Sequence, residues 1–146
     1  MSIIERHYTL TIPYESPSAN RLRGVHWSKI SSANLRIGEI IRAVGGTELR
    51  EHATWVALHK PYTYLQILSM RCALIHDRVN LESGCKGLVD QLKKAGLMVD
   101  DSVKQCSDTY LQQLADLGVT RNRLTNRRRR IPRTEITFYW KAFLRE

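Results

Sequence analysis

The chain has 146 residues, 42% of them hydrophobic and 25% charged, the make-up of a folded unit with its own core rather than of a disordered polymer. Against 14 Asp and Glu stand 23 Lys and Arg, and the resulting charge of +9 draws in nucleic acid or another polyanion by long-range attraction and counterion release. No apolar run approaches the roughly 18 residues of a membrane span, residues 1–10 lack a signal-peptide pattern, and three cysteines with no Cys-x-x-Cys pair argue against a disulfide frame or a zinc site, so a cytoplasmic protein with reduced thiols and no membrane partner is expected.

In chain order, "HYTLTIPY" alternates Tyr8, Leu10 and Ile12 with His7, Thr9 and Thr11, the period of a half-buried strand. Pro13 and Pro17 stop it, and "ESPSANRLRGVHW" reads as a loop. From Ser32 to Val44, Leu35, Ile37, Ile40, Ile41 and Val44 predict a helix that ends at Gly45–Gly46. Residues 47–60 are ambiguous, a helical turn followed by a loop. "YTYLQILSMRCALIH" is a second strand, apolar on both faces near its middle and so central in a sheet, with Arg71 interrupting one face.

The segment "DRVNLESGCKGLVDQLKKAGLMVDDS", from Asp77 to Ser102, predicts an amphipathic helix with Leu81, Cys85, Leu88, Val89 and Leu92 on one stripe, Asn80 as N-cap and Gly96 as the left-handed residue after its end. "LMVDD" reads as a short extended return, "SVKQCSDTYLQ" as another strand, and "TEITFYW" as a closing strand with Ile136, Phe138 and Trp140 on one face. The fold class is α+β over a single unit 1–146: a small mixed sheet with two main helices packed on it. The Arg-rich segment 121–133 reads as an arm that is mobile in the free protein and orders on DNA.

A helix from Asn80 to Gly96 rises about 24 Å, and an extended return over 97–101 covers about 16 Å. Such a return would leave Asp101 near the level of Lys86 and allow Asp77, Asp101 and Lys86 to converge. Carboxylates so placed suit Mg²⁺, an oxygen-seeking ion that activates water and stabilises a leaving phosphate oxygen. The spacing equally allows Asp77 to cap a turn, Lys86 and Asp90 to share a solvated helix face, and Asp100–Asp101 to form a polar turn. Elsewhere Asn20, Arg21, Arg23 and Lys29, together with Arg127, Arg128, Arg129 and Arg130, are candidate phosphate contacts. Trp27 suits either core packing or stacking on a base.

The series Asp77-x-x-Asn80-Leu81, Lys86, Asp90-x-Leu92, "KKAG" at 93–96 and "VDDS" at 99–102, preceded by "IPYESPSANRLR", resembles the RusA family of Holliday junction resolvases over roughly residues 8–110. The resemblance implies a homodimer that nicks branched DNA, the four-way junction, with Mg²⁺ or Mn²⁺ as its substitute, in a bacterial or phage-infected cell. It implies Asp77, Lys86 and Asp101 as catalytic residues, with Asp77, Asp101 and Asp100 as metal ligands and Asn80, Glu82 and Asp90 in support. Two matched cuts in a two-fold junction also call for two related sites, which a C2 dimer provides. The family pattern Asp-x-Asp-Asn departs here at Val79, and Glu82, Asp90 and Asp100 are the residues available to replace that carboxylate. Three readings follow: a junction endonuclease, a DNA-binding relative that has lost cleavage, and, from the arginines alone, an RNA-binding protein.

Overall fold

The alternating segments become strands in the computed structural model, which describes Ser2–Leu144; residues 1, 145 and 146 of the expected 1–146 unit lie outside the described residues. The elements are β1 (Ser2–Ile12), α1 (Ala19–Leu22), α2 (Trp27–His59), β2 (Tyr62–Arg71), α3 (Arg78–Gly84), α4 (Lys86–Lys94), β3 (Cys106–Leu114), β4 (Leu117–Arg121), β5 (Arg128–Arg130) and β6 (Arg133–Leu144). The main sheet has the order β1-β6-β2-β3, with β6 antiparallel to both β1 and β2 and β3 parallel to β2; β4 and β5 form a separate ribbon. The chain is an α+β protein, as its pattern predicts, and no helix among the described residues is long and apolar enough to cross a membrane.

One face of the sheet is the core. Leu10 and Ile12 of β1, Leu65 and Ile67 of β2, and Ile136, Phe138 and Trp140 of β6 are all buried there. Each side chain of this size contributes about 1.5–3 kcal/mol by leaving water. Ile37, Ile41, Leu49 and Val56 of α2 and Leu88, Val89 and Leu92 of α4 cover that face. Trp140 is fully enclosed and its indole Nε1 donates to the Leu97 carbonyl at 2.9 Å, so its polar atom is satisfied.

Several expectations change. The first helical run does end at Gly45–Gly46, where Gly46 at φ 54°, ψ −138° leaves helical geometry, but residues 47–59, expected as a turn and loop, form a second helical run beyond that kink and complete α2. Leu49, His52 and Val56 give the second half its own buried stripe, which packing holds helical despite the glycines. The helix expected over 80–96 is two helices joined at Cys85 (φ −86°, ψ −3°), and its N-cap is Asp77, not Asn80. Asp77 is extended and its Oδ1 accepts from Val79 N at 2.8 Å.

"LMVDD" is not an extended return. Gly96, at φ 85°, closes α4 with Gly96 N donating to Lys93 O and Leu97 N to Leu92 O, a Schellman ending. Leu97 and Met98 then dive into the core, and residues 99–105 are bends and turns leading into β3. The arginine-rich segment, expected as an arm, takes the form of the β4–β5 ribbon, with Leu117 opposite Arg130 and Arg121 opposite Arg128.

Candidate functional site

The far end of β2 is organised by a buried cation. Arg71 is 3% exposed; its Nη1 donates to Ser16 O at 2.6 Å, Ser69 Oγ at 3.0 Å and Ser16 Oγ at 3.2 Å, and its Nε donates to Ala73 O at 3.1 Å. Glu15 lies 3.9 Å from Nη2 and accepts from Cys72 N at 2.6 Å, which supplies the counter-charge that a buried guanidinium requires. The Ser16–Pro17 segment is thereby locked over α3, where a Cβ on Gly84 would collide with the Pro17 carbonyl oxygen. Gln112 of β3 grips the next loop from both sides, accepting from Ile75 N at 2.8 Å and donating to Ile75 O at 2.7 Å.

These clamps bring two distant segments together. Ser18, Asn20 and Arg21 line one cleft, of about 290 Å³, with His76, Asp77 and Asn80. The Asp77 carboxylate is exposed there, with Oδ1 engaged by the helix cap. Glu82 points elsewhere, 3.8 Å from Arg78 on the solvent side of α3. Val79 is 67% exposed, so the position of the departing residue faces water rather than the core.

Lys86 and Asp90 line a larger groove, of about 750 Å³, between α4 and the first half of α2, with Arg36, Ile37 and Tyr14 among its other walls. Helix α4 approaches α2 closely there because Gly87 has no side chain; a Cβ would strike Asn34. Tyr14 is enclosed enough that burial pushes its hydroxyl up to about 12.

Asp100 and Asp101 occupy the opposite end of the sheet. Lys93 Nζ lies 3.1 Å from Asp100 and 3.8 Å from Asp101, and Asp101 N donates to Asp100 Oδ1 at 2.8 Å. The hydrogen bond from Lys93, followed by that from the Asp101 backbone, holds the Asp100 carboxyl below its usual range and raises the Lys93 ammonium. Beneath them Cys106 is pushed up to about 11 by burial and then by the charges of Asp108, Asp101 and Asp100.

The convergence allowed by the sequence does not form within one chain. The parallel ladder runs from Thr63↔Cys106 to Arg71↔Leu114, about 26 Å at roughly 3.3 Å per residue. Asp101 precedes its first pair and Asp77 follows its last. The partner of the acidic pair is therefore Lys93, which "KKAG" contains without marking it as a functional residue, and not Lys86. Asp100 and Asp101 offer the one or two carboxylates that Mg²⁺ accepts beside waters and phosphate oxygens. A single ion shared by Asp77 and Asp101 of the same chain does not fit, and no three His, Cys, Asp or Glu gather among the described residues.

The basic candidates fall into two groups. Asn20, Arg21, Arg23 and Lys29 are exposed on α1 and the start of α2, beside Trp27, whose 73% exposure removes it from the core. Arg127, Arg128 and Arg129 are exposed on the ribbon around a hollow of about 690 Å³, whereas Arg130 is half-buried and donates to Ala115 O at 2.6 Å. Arg71 had a visible signal, a lone charge inside an apolar strand; Gln112 had none. No protein-family model matches the chain, and no curated protein matches it.

Proposed function

We propose that the chain is a Mg²⁺-dependent, structure-selective endodeoxyribonuclease that acts as a homodimer on four-way DNA junctions in the cytoplasm of a bacterial or phage-infected cell. One observation carries this reading. Two of the segments that carry the resemblance to the RusA family, Ser18–Arg21 and Asp77–Asn80, line one cleft, which sets a carboxylate beside a cation on a chain of charge +9.

The separation of Asp77 from Asp100–Asp101 supports a second copy. β3 is an open edge of the sheet. Two copies pairing β3 antiparallel about a two-fold axis would set the first end of one ladder against the far end of the other, and so Asp101 toward the partner's Asp77. Mg²⁺, when bound, supplies Lewis acidity toward a phosphodiester. Asp100 and Asp101 of one copy and Asp77 of the other are the groups to hold it, and Lys86 is a cation for the phosphate.

A second reading, a DNA-binding relative without cleavage, is favoured by Val79 standing exposed where the family pattern has Asp. Synthetic four-way junctions with and without Mg²⁺, and linear duplex as control, separate the two. Paired nicks in the junction that require Mg²⁺ support the nuclease. Tight junction binding with no cut at any Mg²⁺ or Mn²⁺ concentration supports the second reading, and failure to bind DNA removes both.

A further inference from the structure

Between Leu117 and Pro132 the chain has six arginines and no acidic residue. They surround a compact, internally bonded tip. Asn122 Oδ1 accepts from Leu124 N at 2.8 Å and from Thr125 N at 3.4 Å, Asn122 N donates to Arg127 O at 2.7 Å, and Arg121 Nη1 donates to Asn126 O at 3.0 Å. Asn126 takes the left-handed conformation, φ 53°, that closes the turn. Polar side chains thus account for the turn itself, yet its apex is a leucine. Leu124 is 97% exposed and touches no core.

A single exposed leucine is ordinary on a protein surface. This one is set apart by its position, at the end of a narrow two-stranded ribbon with Arg123 before it and Arg127 three residues on. Its side chain adds nothing to the stability of the free protein, and the charge around it selects a polyanion as the surface that covers it. Two-stranded ribbons enter the minor groove of duplex DNA as well as the major. Apolar side chains carried into DNA on such elements part neighbouring bases and bend the helix.

We propose that the β4–β5 ribbon lies along DNA with its arginines on the phosphates while Leu124 inserts between bases as a wedge. Unstacking is least costly where bases are already unpaired or strained, so insertion favours the centre of a branched molecule over linear duplex. Arg127, Arg128 and Arg129 bind both forms alike, and Leu124 supplies the preference. The inference rests on the DNA-binding half of the function proposed above and is independent of cleavage.

The test uses the full chain in EDTA with four-way junctions carrying 2-aminopurine at each branch-point base in turn, and matched linear duplexes. Wild type is expected to raise the fluorescence at one or more branch-point positions. Leu124→Ser should abolish that rise and lower junction affinity by about ten- to a hundredfold, leaving duplex affinity and the melting temperature unchanged. Leu124→Phe should retain the rise. Replacing Arg127, Arg128 and Arg129 with Gln should weaken both DNAs and reduce the salt slope by about 0.9 per lost contact. A rise that survives Leu124→Ser, no rise with the junction bound, or a preference for anionic vesicles or duplex RNA would overturn the wedge. Absence of cleavage in Mg²⁺ with the rise intact removes only the nuclease reading, and absence of DNA binding removes both.

Discussion

Arg71 Nη1 donates to the carbonyl oxygen of Ser16 at 2.6 Å, joining the end of β2 to a loop 55 residues earlier in the chain. The same guanidinium reaches Ser69 and Ala73. Arg71→Met keeps an apolar stem but leaves the Ser16 carbonyl and two hydroxyls short of a donor. A loss of about 3 kcal/mol is expected in urea unfolding, with faster proteolysis in residues 13–23. Arg71→Lys should recover only part of this, since an ammonium lacks the planar fork that serves several acceptors at once. An unchanged unfolding midpoint in Arg71→Met would show that the loop is held otherwise.

Asp77→Asn and Asp101→Asn should each abolish cleavage while leaving junction binding intact. Asn caps a helix about as well as Asp, so Asp77→Asn should melt with the wild type. Mixing the two inactive proteins distinguishes a site within one chain from one shared between copies. A shared site leaves each mixed dimer with one intact pairing of Asp77 and Asp101, and single-strand nicking should return. If each site lies within one chain, the mixture stays inactive.

Val79→Asp should fold normally, because the side chain is 67% exposed and a new carboxylate there remains in water. The melting temperature should hold, and the Mg²⁺ concentration for half-maximal cleavage should fall. A folded variant with unchanged metal dependence would place the missing ligand elsewhere, with Asp100 the first residue to examine.

His52 stacks on Tyr8 at 4.3 Å, accepts from Arg6 Nε at 3.0 Å through Nδ1, and lies 3.8 Å from Glu48. Burial, then the Arg6 charge, holds it below its ordinary value, with Glu48 and Glu51 opposing. The fold therefore favours neutral His52. Its contribution is complete above the unfolded value of about 6.5 and is lost as pH falls from there toward the folded value, by at most about 1.4 kcal/mol per pH unit for one proton. His52→Gln, which keeps an acceptor for Arg6, should flatten the stability profile on the acid side of the unfolded value of about 6.5. A profile unaltered by the substitution would assign that dependence to other groups.

Local pattern was enough to show the strands, because alternation records which side chains meet a core. Tyr8, Leu10 and Ile12, and later Ile136, Phe138 and Trp140, announced their faces and are buried on them. Gly96 was legible as a helix ending because its left-handed backbone is a local demand that glycine meets without strain. The joint at Cys85 and the helix beyond Gly46 were not legible. Both depend on which surfaces lie opposite, and tertiary packing outweighs the local preference against helix there.

The placement of the candidate carboxylates was decided entirely by tertiary structure. "VDDS" reads the same whether the chain returns along the helix or turns through a short loop into a strand. The parallel pairing of β2 with β3 chose the second course, leaving Asp77 at one end of the sheet and Asp100–Asp101 with Lys93 at the other. Sequence named the candidate groups; a strand partner far along the chain determined which of them can meet, since pairing direction is set by long-range hydrogen bonds and core burial that short stretches of sequence do not record.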